Sequence, residues 1–384
     1  MDENSLHSDK AGRIEWADNG QFCYFRPNTL PLDIKADGLT NRTFRTVSAV
    51  SKLDGRISGI PDEERVVILN AFAVKEATTS SAIEGSRSTV SDIFREEKEK
   101  ERDREKALDN QEVRNYKEAL RSGIEAVSGR GAITEEIMLS MHRTLLKGVR
   151  GSGKQPGSYR SGQVWVGGRK DTLETAEFVP VPPFAIQYMM DDLINYMNEN
   201  DDDPIRKIAV SHYQFETIHP FMDGNGRIGR LMIMLLLYRE GIMENPFLYI
   251  SEYFNKHRGE YICHLTEVRT DGDLQGWLEF FLDALDSQTK RSMELLDSLE
   301  SYKKTMRELA LRERSSALDV IGGMLIENPF ITAKDIADRT GVSAPTARKL
   351  IDVLLWNDVL DVMEGKRKGK LYKATAILDM LESI

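Results

Sequence analysis

The sequence predicts a mainly α-helical fold with a small β element inside it and a second, smaller domain at its C-terminal end. Apolar residues recur at helical spacing, as at Val113, Tyr116 and Leu120. Glycines gather around Gln163–Val166, which alternates polar and apolar residues as a strand does. A chain of 384 residues is long for one domain. We expect an N-terminal region over 1–109, a core over 110–285, a helical connector over 286–314 and a C-terminal domain over 315–384.

Composition narrows the class of protein. Hydrophobic residues make up 40% and charged residues 30% of the chain, as in an ordinary globular protein. The formal charge of −10 argues against a chain that binds nucleic acid non-specifically along its whole surface. Two cysteines are too few for a disulfide framework, and no His or Cys pair has the spacing of a zinc site. With a polar start and no long apolar run, we expect a cytoplasmic protein that does not enter membranes.

In the N-terminal region, prolines make residues 25–31 extended or turn-rich. A helix is predicted from Asp62 to Ile83, because Pro61 favours its start and Gly85 its end. Residues 95–106 carry mixed charge and are typical of a solvated linker or a frayed helix. Further helices are predicted from Glu135 to Gly148 with Thr134 as cap, from Ala185 to Asn198, and from Pro204 to Thr217.

The glycine-rich segment over 151–183 favours a β-hairpin or short strands. A glycine-rich surface loop is an equally good interpretation of the same residues. The helix that ends near Thr217 leads into the most informative stretch of the chain, residues 219–230. The apolar run Leu231–Tyr238 that follows has no polar face, and therefore predicts a helix buried on all sides.

Residues 219–230 combine the groups needed to hold and attack a nucleotide phosphate. The turn Gly224, Asn225 and Gly226 permits backbone N–H groups to point at an anion, at the N-terminus of the buried helix. Arg227 and Arg230 lie on one side of its first turn, where two guanidinium groups suit phosphate oxygens. Asp223 is a hard oxygen ligand for Mg²⁺, and His219 titrates near neutrality, so that it can accept a proton from a hydroxyl. A helix cap with two surface arginines and a core histidine is the alternative, which the combination disfavours.

This stretch resembles the signature of the Fic domain, H-P-F-x-D-G-N-G-R-x-x-R, and matches it at every defined position. The resemblance implies a Fic-type helical bundle in which a small β-hairpin flap holds the target segment. It also implies transfer of AMP from ATP to a Ser, Thr or Tyr hydroxyl of a target protein, and of the protein itself. His219 would then be the base, Asp223 the Mg²⁺ ligand, and residues 224–226 the anion hole. Arg227 and Arg230 would hold the β- and γ-phosphates.

A second segment, Ser80 to Gly85, resembles the inhibitory motif of that family, [S/T]-x-x-x-E-[G/N]. Within an inhibitory helix over about 62–85, the carboxylate of Glu84 is expected to pair with Arg230 and so block productive ATP binding. Ser80 lies on the same helical face and is expected to anchor the motif near Asn225. A solvent-exposed Glu near a helix end is the alternative.

Two tyrosines follow the predicted central helix in a segment that resembles the family region over the adenine and ribose. Tyr253 and Tyr261 are candidates to contact the nucleoside, although packing in the core is the safer default for aromatic residues. Further on, Leu295, Leu299 and Tyr302 belong to an apolar seam that predicts an amphipathic connector helix. The seam suits a homodimer contact or, as we favour, packing against the core.

Residues 315–384 resemble a winged helix-turn-helix domain. Short helices are followed by a hairpin, and Ser343 caps a helix through Trp356 in the recognition position. The turn between the hairpin strands carries Lys366, Arg367 and Lys368, followed by Lys370, which favours contact with phosphate. Binding to DNA and docking to protein are about equally supported. For the whole chain, the alternatives to an adenylyltransferase are a nucleotide-sensing DNA-binding regulator and a Fic enzyme that transfers another phosphate-linked group or removes AMP.

Overall fold

The computed structural model describes residues 7–17, 20–129, 131–168, 170–199, 203–363 and 370–382. Helices dominate it, which confirms the mainly α-helical prediction. Its strands are β1 (Gly12–Ala17), β2 (Phe22–Pro27), β3 (Phe330–Thr332), β4 (Asp361–Val362) and β5 (Leu371–Lys373). Its helices are α1 (Thr40–Ser58), α2 (Asp62–Ile83), α3 (Val90–Glu96), α4 (Arg104–Ala126), α5 (Glu135–Leu145), α6 (Pro183–Glu199), α7 (Pro204–Ile218), α8 (Asn225–Arg239), α9 (Ser251–Lys256), α10 (Arg258–Asp271), α11 (Leu274–Arg312), α12 (Ala317–Glu327), α13 (Ala333–Thr340), α14 (Ala344–Trp356) and α15 (Thr375–Glu382).

Helix α8 is the centre of the core, as its apolar sequence predicts. Residues 227–237 are all buried, and α2, α4, α5 and α7 pack around them. An apolar helix without a polar face is stable only when neighbours cover every side of it. Within the described ranges, no helix is both long enough and apolar enough to cross a membrane.

The predicted inhibitory helix has the bounds that its sequence signals give. Helix α2 runs from Asp62 to Ile83, and acidic residues in its first turn stabilise it by their interaction with the positive end of the helix dipole. Pro61 precedes it with extended backbone, and Gly85 follows with φ +98°, a left-handed conformation that ends the helix. The α2 C-terminus therefore places Glu84 at a sharp change of chain direction.

Elsewhere the local signals were less informative. Strands β1 and β2 form an antiparallel hairpin, paired from Gly12 with Pro27 to Ala17 with Phe22, where only an extended segment over 25–31 was predicted. The charged segment over 95–106 contains the end of α3 and the start of α4, which Asp103 caps. Helix α5 ends at Leu145, three residues before the predicted end, because Leu146 already leaves the helical conformation.

The predicted flap contains one isolated β-bridge, in which Val166 and Phe178 exchange backbone hydrogen bonds of 2.8 and 3.2 Å. Its other described residues before α6 are turns, bends and irregular backbone. The segment therefore has less strand than the predicted hairpin and more than a plain surface loop. Helix α11 continues without a break across residue 285, the predicted end of the core. The seam residues Leu295 and Leu299 are buried within the single chain, as the packing alternative requires.

Helices α12–α15 with strands β3–β5 form what we call the C-terminal unit. The three strands make an antiparallel sheet in the order β3, β5, β4. Ser343 caps α14 as predicted, accepting a hydrogen bond from the Thr346 backbone N–H at 3.3 Å. Lys366, Arg367 and Lys368 of the predicted basic turn lie outside the described residues.

Candidate active site

The loop between α7 and α8 is fixed by its own backbone and by one amide side chain. His219 ends α7 with φ +51°, and Gly224 precedes α8 with φ +82°, so the chain reverses twice within six residues. The Asn225 side chain spans the reversal: its Oδ1 accepts from the Phe221 N–H, and its Nδ2 donates to the Phe221 carbonyl, both at 2.8 Å. Asn225 therefore shapes the loop, and backbone N–H groups at the α8 N-terminus remain for an anion.

Two buried side chains that we did not predict hold the loop from outside. The Gly157 N–H donates to His142 Nδ1 at 2.9 Å, so the ring proton lies on Nε2, which donates to the Asp223 carbonyl at 3.0 Å. Arg160 Nε donates to the His219 carbonyl at 2.8 Å. These contacts join residues 59 and 81 positions apart, and no local spacing in the sequence indicates them.

A cavity of about 460 Å³ opens beside this loop. Its floor includes His219, Gly226 and Arg230, and one wall is Glu84 at the end of α2. Other walls include the flap residues Val166 and Phe178 and the α10 residues Tyr261, Ile262, Leu265 and Arg269. Its volume is in the range of small-molecule sites, and its mixture of apolar walls and a few converging polar groups is typical of them.

Glu84 lies on Arg230, as the inhibitory motif predicts. Arg230 Nη2 donates to Glu84 Oε1 at 2.8 Å, and the arginine side chain is 1% exposed. The same guanidinium donates to Ser80, from Nε to Oγ at 2.8 Å and from Nη2 to the carbonyl at 2.9 Å. Ser80 therefore anchors the motif to Arg230, and the expected contact with Asn225 is absent among the described hydrogen bonds. A Cβ added at Gly226 would lie 2.3 Å from Glu84 Oε1, so the carboxylate occupies space that only glycine leaves free.

Glu84 and Arg230 form an ion pair at neutral pH. Burial is the largest single effect and opposes ionisation of Glu84, but the charge and hydrogen bond of Arg230, together with the charge of Arg227, outweigh it and lower the pKa of the carboxyl. Burial also favours the neutral form of Arg230, but Glu84, with smaller contributions from Tyr261 and Tyr116, outweighs it and raises the pKa of the guanidinium. Both side chains are therefore charged near neutral pH, and each stabilises the other.

Arg227 lies one turn earlier, with donors that the protein does not use. Its Nη2 donates to Asp223 Oδ1 at 3.2 Å, and its Nη1 is 3.9 Å from Glu112 Oε2. The residue is 4% exposed, and its Nε and Nη1 are buried without a hydrogen-bond partner in the part of the chain that is described. Buried donors are nearly always satisfied in folded proteins, so these two atoms are an exception within this site.

Asp223 is the residue suited to a cation. Its side chain is 39% exposed, and one carboxylate oxygen remains beyond the contact with Arg227. Over the described residues, no three acidic, His or Cys side chains converge as a ready metal site. The donor set fits Mg²⁺, which is commonly held by one or two carboxylates while substrate phosphates and water supply the other ligands.

His219 is neutral and oriented. Burial lowers its pKa to about 4, so the imidazole carries no charge near neutrality. Its Nδ1 lies 3.3 Å from the Glu216 carbonyl, which accepts the ring proton and leaves Nε2 with a free lone pair. Burial also raises the pKa of the Glu216 carboxyl to about 8. This residue lines the cavity as well, and we did not predict it as part of the site.

Of the two candidate tyrosines, Tyr261 lies in the cavity wall and Tyr253 does not. Tyr261 lines the cavity, and its hydroxyl is 2.7 Å from His212 Nε2. Tyr253 instead stacks on His257, with ring centroids 4.3 Å apart, and is not among the residues that line the cavity. The α10 residue Arg269, which was not predicted, holds its guanidinium 4.1 Å from the centre of the Phe178 ring.

Two segments of the chain match models of one protein family. Residues 132–237 match the model of the Fic/DOC family, and residues 42–125 match that of the Fic/DOC family N-terminal region. A probable protein adenylyltransferase of Aquifex aeolicus is 30% identical over 137 residues, covering 35% of this chain and 37% of that protein. Protein adenylyltransferase fic-1 of Caenorhabditis elegans is 30% identical over 162 residues, covering 41% of this chain and 28% of that protein.

Solved structures extend the likeness beyond the matched segments. A Fic family protein of Desulfovibrio desulfuricans superposes with a TM-score of 0.56 at 20% identity, covering 88% of this chain and 97% of that chain. The structure of fic-1 from C. elegans has a TM-score of 0.54 at 21% identity, covering 67% and 74%. At these identities the likeness shows the fold alone. The chain spans 28–37% of the length of the two curated relatives named above, and their likeness applies to that part only.

Proposed function

We propose that this chain, which carries a Fic/DOC segment, is a protein adenylyltransferase that Glu84 holds inactive. It would transfer AMP from ATP to a Ser, Thr or Tyr hydroxyl of a target protein, and of itself. The observation that carries the proposal is the contact of Glu84 with Arg230, beside Gly226 and in the same cavity as His219. A carboxylate occupies the anion-binding end of α8, where a phosphate is needed for the reaction.

His219 is the base in this proposal. Its free Nε2 accepts the proton of the target hydroxyl while the hydroxyl oxygen forms a bond to the α-phosphorus of ATP. The bond from that phosphorus to the β-bridging oxygen breaks, and pyrophosphate leaves. The Glu216 carbonyl and Arg160 hold the imidazole and its backbone in place, so little reorganisation is needed for the proton transfer.

The phosphates bind along the start of α8. Gly224, Asn225 and Gly226 form the anion hole, with the helix N-terminus favouring negative charge. Arg227 takes the β-phosphate, and Arg230 takes the γ-phosphate once Glu84 has left. Asp223 would hold Mg²⁺, which when bound neutralises charge on the phosphate oxygens. The nucleoside then extends along Tyr261 towards Phe178 and α10.

The reaction class is tested with ATP labelled at the α- or the γ-phosphate. Wild type, Glu84→Gly and His219→Ala are incubated with Mg²⁺, and label is followed into the protein and into lysate proteins. Transfer of α-label only, greater in Glu84→Gly and absent in His219→Ala, is expected. Transfer of γ-label would instead make the protein a kinase, and release of AMP from a modified target would make it a hydrolase.

The C-terminal unit supports a second role as a winged-helix domain that binds DNA. Thr346, Arg348 and Lys349 are exposed on α14, the helix in the recognition position, and Lys370 is exposed beside β5. A duplex titration at low salt should show binding that weakens steeply as salt is added, because contacts to phosphate release counterions. Absence of binding at low salt would leave docking to protein. A protein that binds ATP and DNA without transferring any label would be a nucleotide-sensing regulator. Action in the cytoplasm stays a prediction from the sequence.

A further inference from the structure

The inhibitory helix α2 is held at its middle by the last helix of the chain. Lys75 of α2 is 3% exposed, and its Nζ donates to the carbonyl of Leu381 in α15 at 2.9 Å. The same ammonium is 3.3 Å from Glu252 Oε1. Lys75 precedes Glu84 by nine residues, which is about 13 Å along a helix axis. A buried charge needs its partners in place. Glu252 belongs to α9, and the Leu381 carbonyl belongs to the C-terminal unit, so the ammonium joins α2 to that unit through the Leu381 contact.

The C-terminal unit also binds α3, the helix that follows α2. Asn328 Nδ2 donates to the carbonyl of Phe94 at 3.0 Å and to Glu97 Oε2 at 2.8 Å. The backbone N–H of Ser91 donates to Glu382 Oε1 at 2.9 Å. At the rim of this contact, Lys98 Nζ is 3.4 Å from Asp335 Oδ2. These contacts and the Lys75 contact together form what we call the latch interface.

Glu84 and Gly85 lie in the short connection between these two helices. One unit therefore holds the chain on both sides of the inhibitory residue, while Arg230 holds Ser80 and Glu84 themselves. A helix transmits a displacement of its middle to its end within a few turns, because its backbone hydrogen bonds keep it rigid. Glu84 cannot leave Arg230 by a movement of α2 unless the latch interface also yields.

We propose that the C-terminal unit is a latch on the inhibitory helix, so that loosening the latch interface releases Glu84 and raises transfer activity. The proposal rests on the proposed adenylyltransferase activity and names its regulation. A ligand that binds the C-terminal unit better when the latch interface is open would thereby activate the enzyme, since binding and opening are linked thermodynamically. The residues that make the latch contacts do not line the cavity, so they act on how often Glu84 leaves it and not on the reacting groups.

The test compares self-modification by the full-length chain and four variants, with ATP labelled at the α-phosphate. Lys75→Met removes the buried ammonium and keeps the length of the side chain. Lys98→Glu reverses a rim charge and serves if the first variant folds poorly. Lys334→Met, on an exposed lysine of the same unit, is the matched control, and Glu84→Gly reports the fully released enzyme.

We expect Lys75→Met and Lys98→Glu to raise the rate at least about fivefold, the lower end of typical coupling between sites. The control should match wild type. Combined with Glu84→Gly, the latch variants should add nothing, because no inhibitory carboxylate remains to be released. Hydrogen exchange of residues 80–88 should be faster in the latch variants than in the control.

The outcomes separate the two proposals. No transfer by Glu84→Gly would overturn the adenylyltransferase proposal itself. Active Glu84→Gly together with wild-type rates in both latch variants, each folded by circular dichroism, would overturn the latch alone. Equal activation of Lys75→Met with and without Glu84 would likewise contradict the latch, because the effect would then not pass through the inhibitory carboxylate.

Discussion

Replacing Glu84 should increase transfer about tenfold, and the size follows from the contacts of one carboxylate. Its Oε1 accepts a single hydrogen bond from Arg230, at 2.8 Å, and both groups are charged. Such a bond contributes about 1.5–3 kcal/mol to the form that contains it. Because 39% of the Glu84 side chain is exposed, solvent screens the pair and we take the lower value. At about 1.4 kcal/mol per tenfold change, the ratio of open to closed enzyme then rises about tenfold.

The assay measures initial rates of α-label transfer and the affinity for ATP in wild type, Glu84→Gln and Glu84→Gly. Glu84→Gln is the matched control, since it keeps the shape of the side chain and removes only its charge. We expect ATP affinity and rate to rise together, with Glu84→Gln between the other two. Unchanged rates and affinities in both variants would refute the reasoning, because an ion pair that blocks a phosphate site must release that site when it is lost.

The ion pair between Glu84 and Arg230 should persist over the neutral pH range. The folded-state pKa of Glu84 is lowered, so the pair contributes stability above the ordinary carboxyl range and loses it only as pH falls through the lowered value. The ratio of Glu84→Gly to wild-type rates should therefore stay constant from about pH 6 to pH 7, below the pKa of about 8 of the neighbouring Glu216. A ratio that changes markedly within this window would show that another titrating group controls the closed form.

Three further predictions concern residues around the ion pair of Glu84 and Arg230. Because burial lowers the pKa of His219 to about 4, kcat/KM of the Glu84→Gly enzyme should be flat near neutrality and fall only at clearly acidic pH. A pH–rate profile tests this, and a fall in kcat/KM near the ordinary histidine pKa would contradict it. Arg230→Lys in the Glu84→Gly background should lower kcat/KM by roughly 100-fold, since lysine lacks the planar fork for phosphate, and steady-state kinetics would show it. His142→Phe should destabilise the protein by about 2 kcal/mol, because it leaves the Gly157 N–H and the Asp223 carbonyl unpaired. Denaturant unfolding measures the loss, and Cys263→Ser, on an exposed residue, is the control. A His142→Phe variant as stable as wild type would show that water satisfies both groups.

The sequence predicted what short-range chemistry determines. Proline and glycine mark the ends of α2 because one favours a first turn and the other tolerates a left-handed exit, and the structure has the same bounds. The loop over 219–230 was recognisable because its groups lie within twelve residues. The contact of Glu84 with Arg230 crosses 146 positions, and only the resemblance to a family motif pointed to it.

Contacts between distant segments were not predictable in this way. His142, Arg160 and Lys75 are polar residues whose partners are backbone carbonyls far along the chain, and any residue offers a carbonyl. Their importance follows from burial, since a buried donor must find an acceptor wherever the fold supplies one. The hairpin of β1 and β2 was missed for a related reason. Its pairing depends on register between two strands, and one extended segment does not reveal its partner.

The way the site is blocked also limits how the enzyme can be regulated. Glu84 is held by Arg230 and beside Gly226, the same features that suit a phosphate at the start of α8. A change in these features that loosens the carboxylate therefore weakens phosphate binding as well, and cannot activate the enzyme cleanly. Activation without loss of catalysis has to act on α2, either at Glu84 or through the groups that hold the helix. The proposed latch interface meets this requirement, because it holds α2 without touching Arg230 or Gly226. Substitutions there should change the rate while leaving the ATP affinity of the Glu84→Gly variant unaltered.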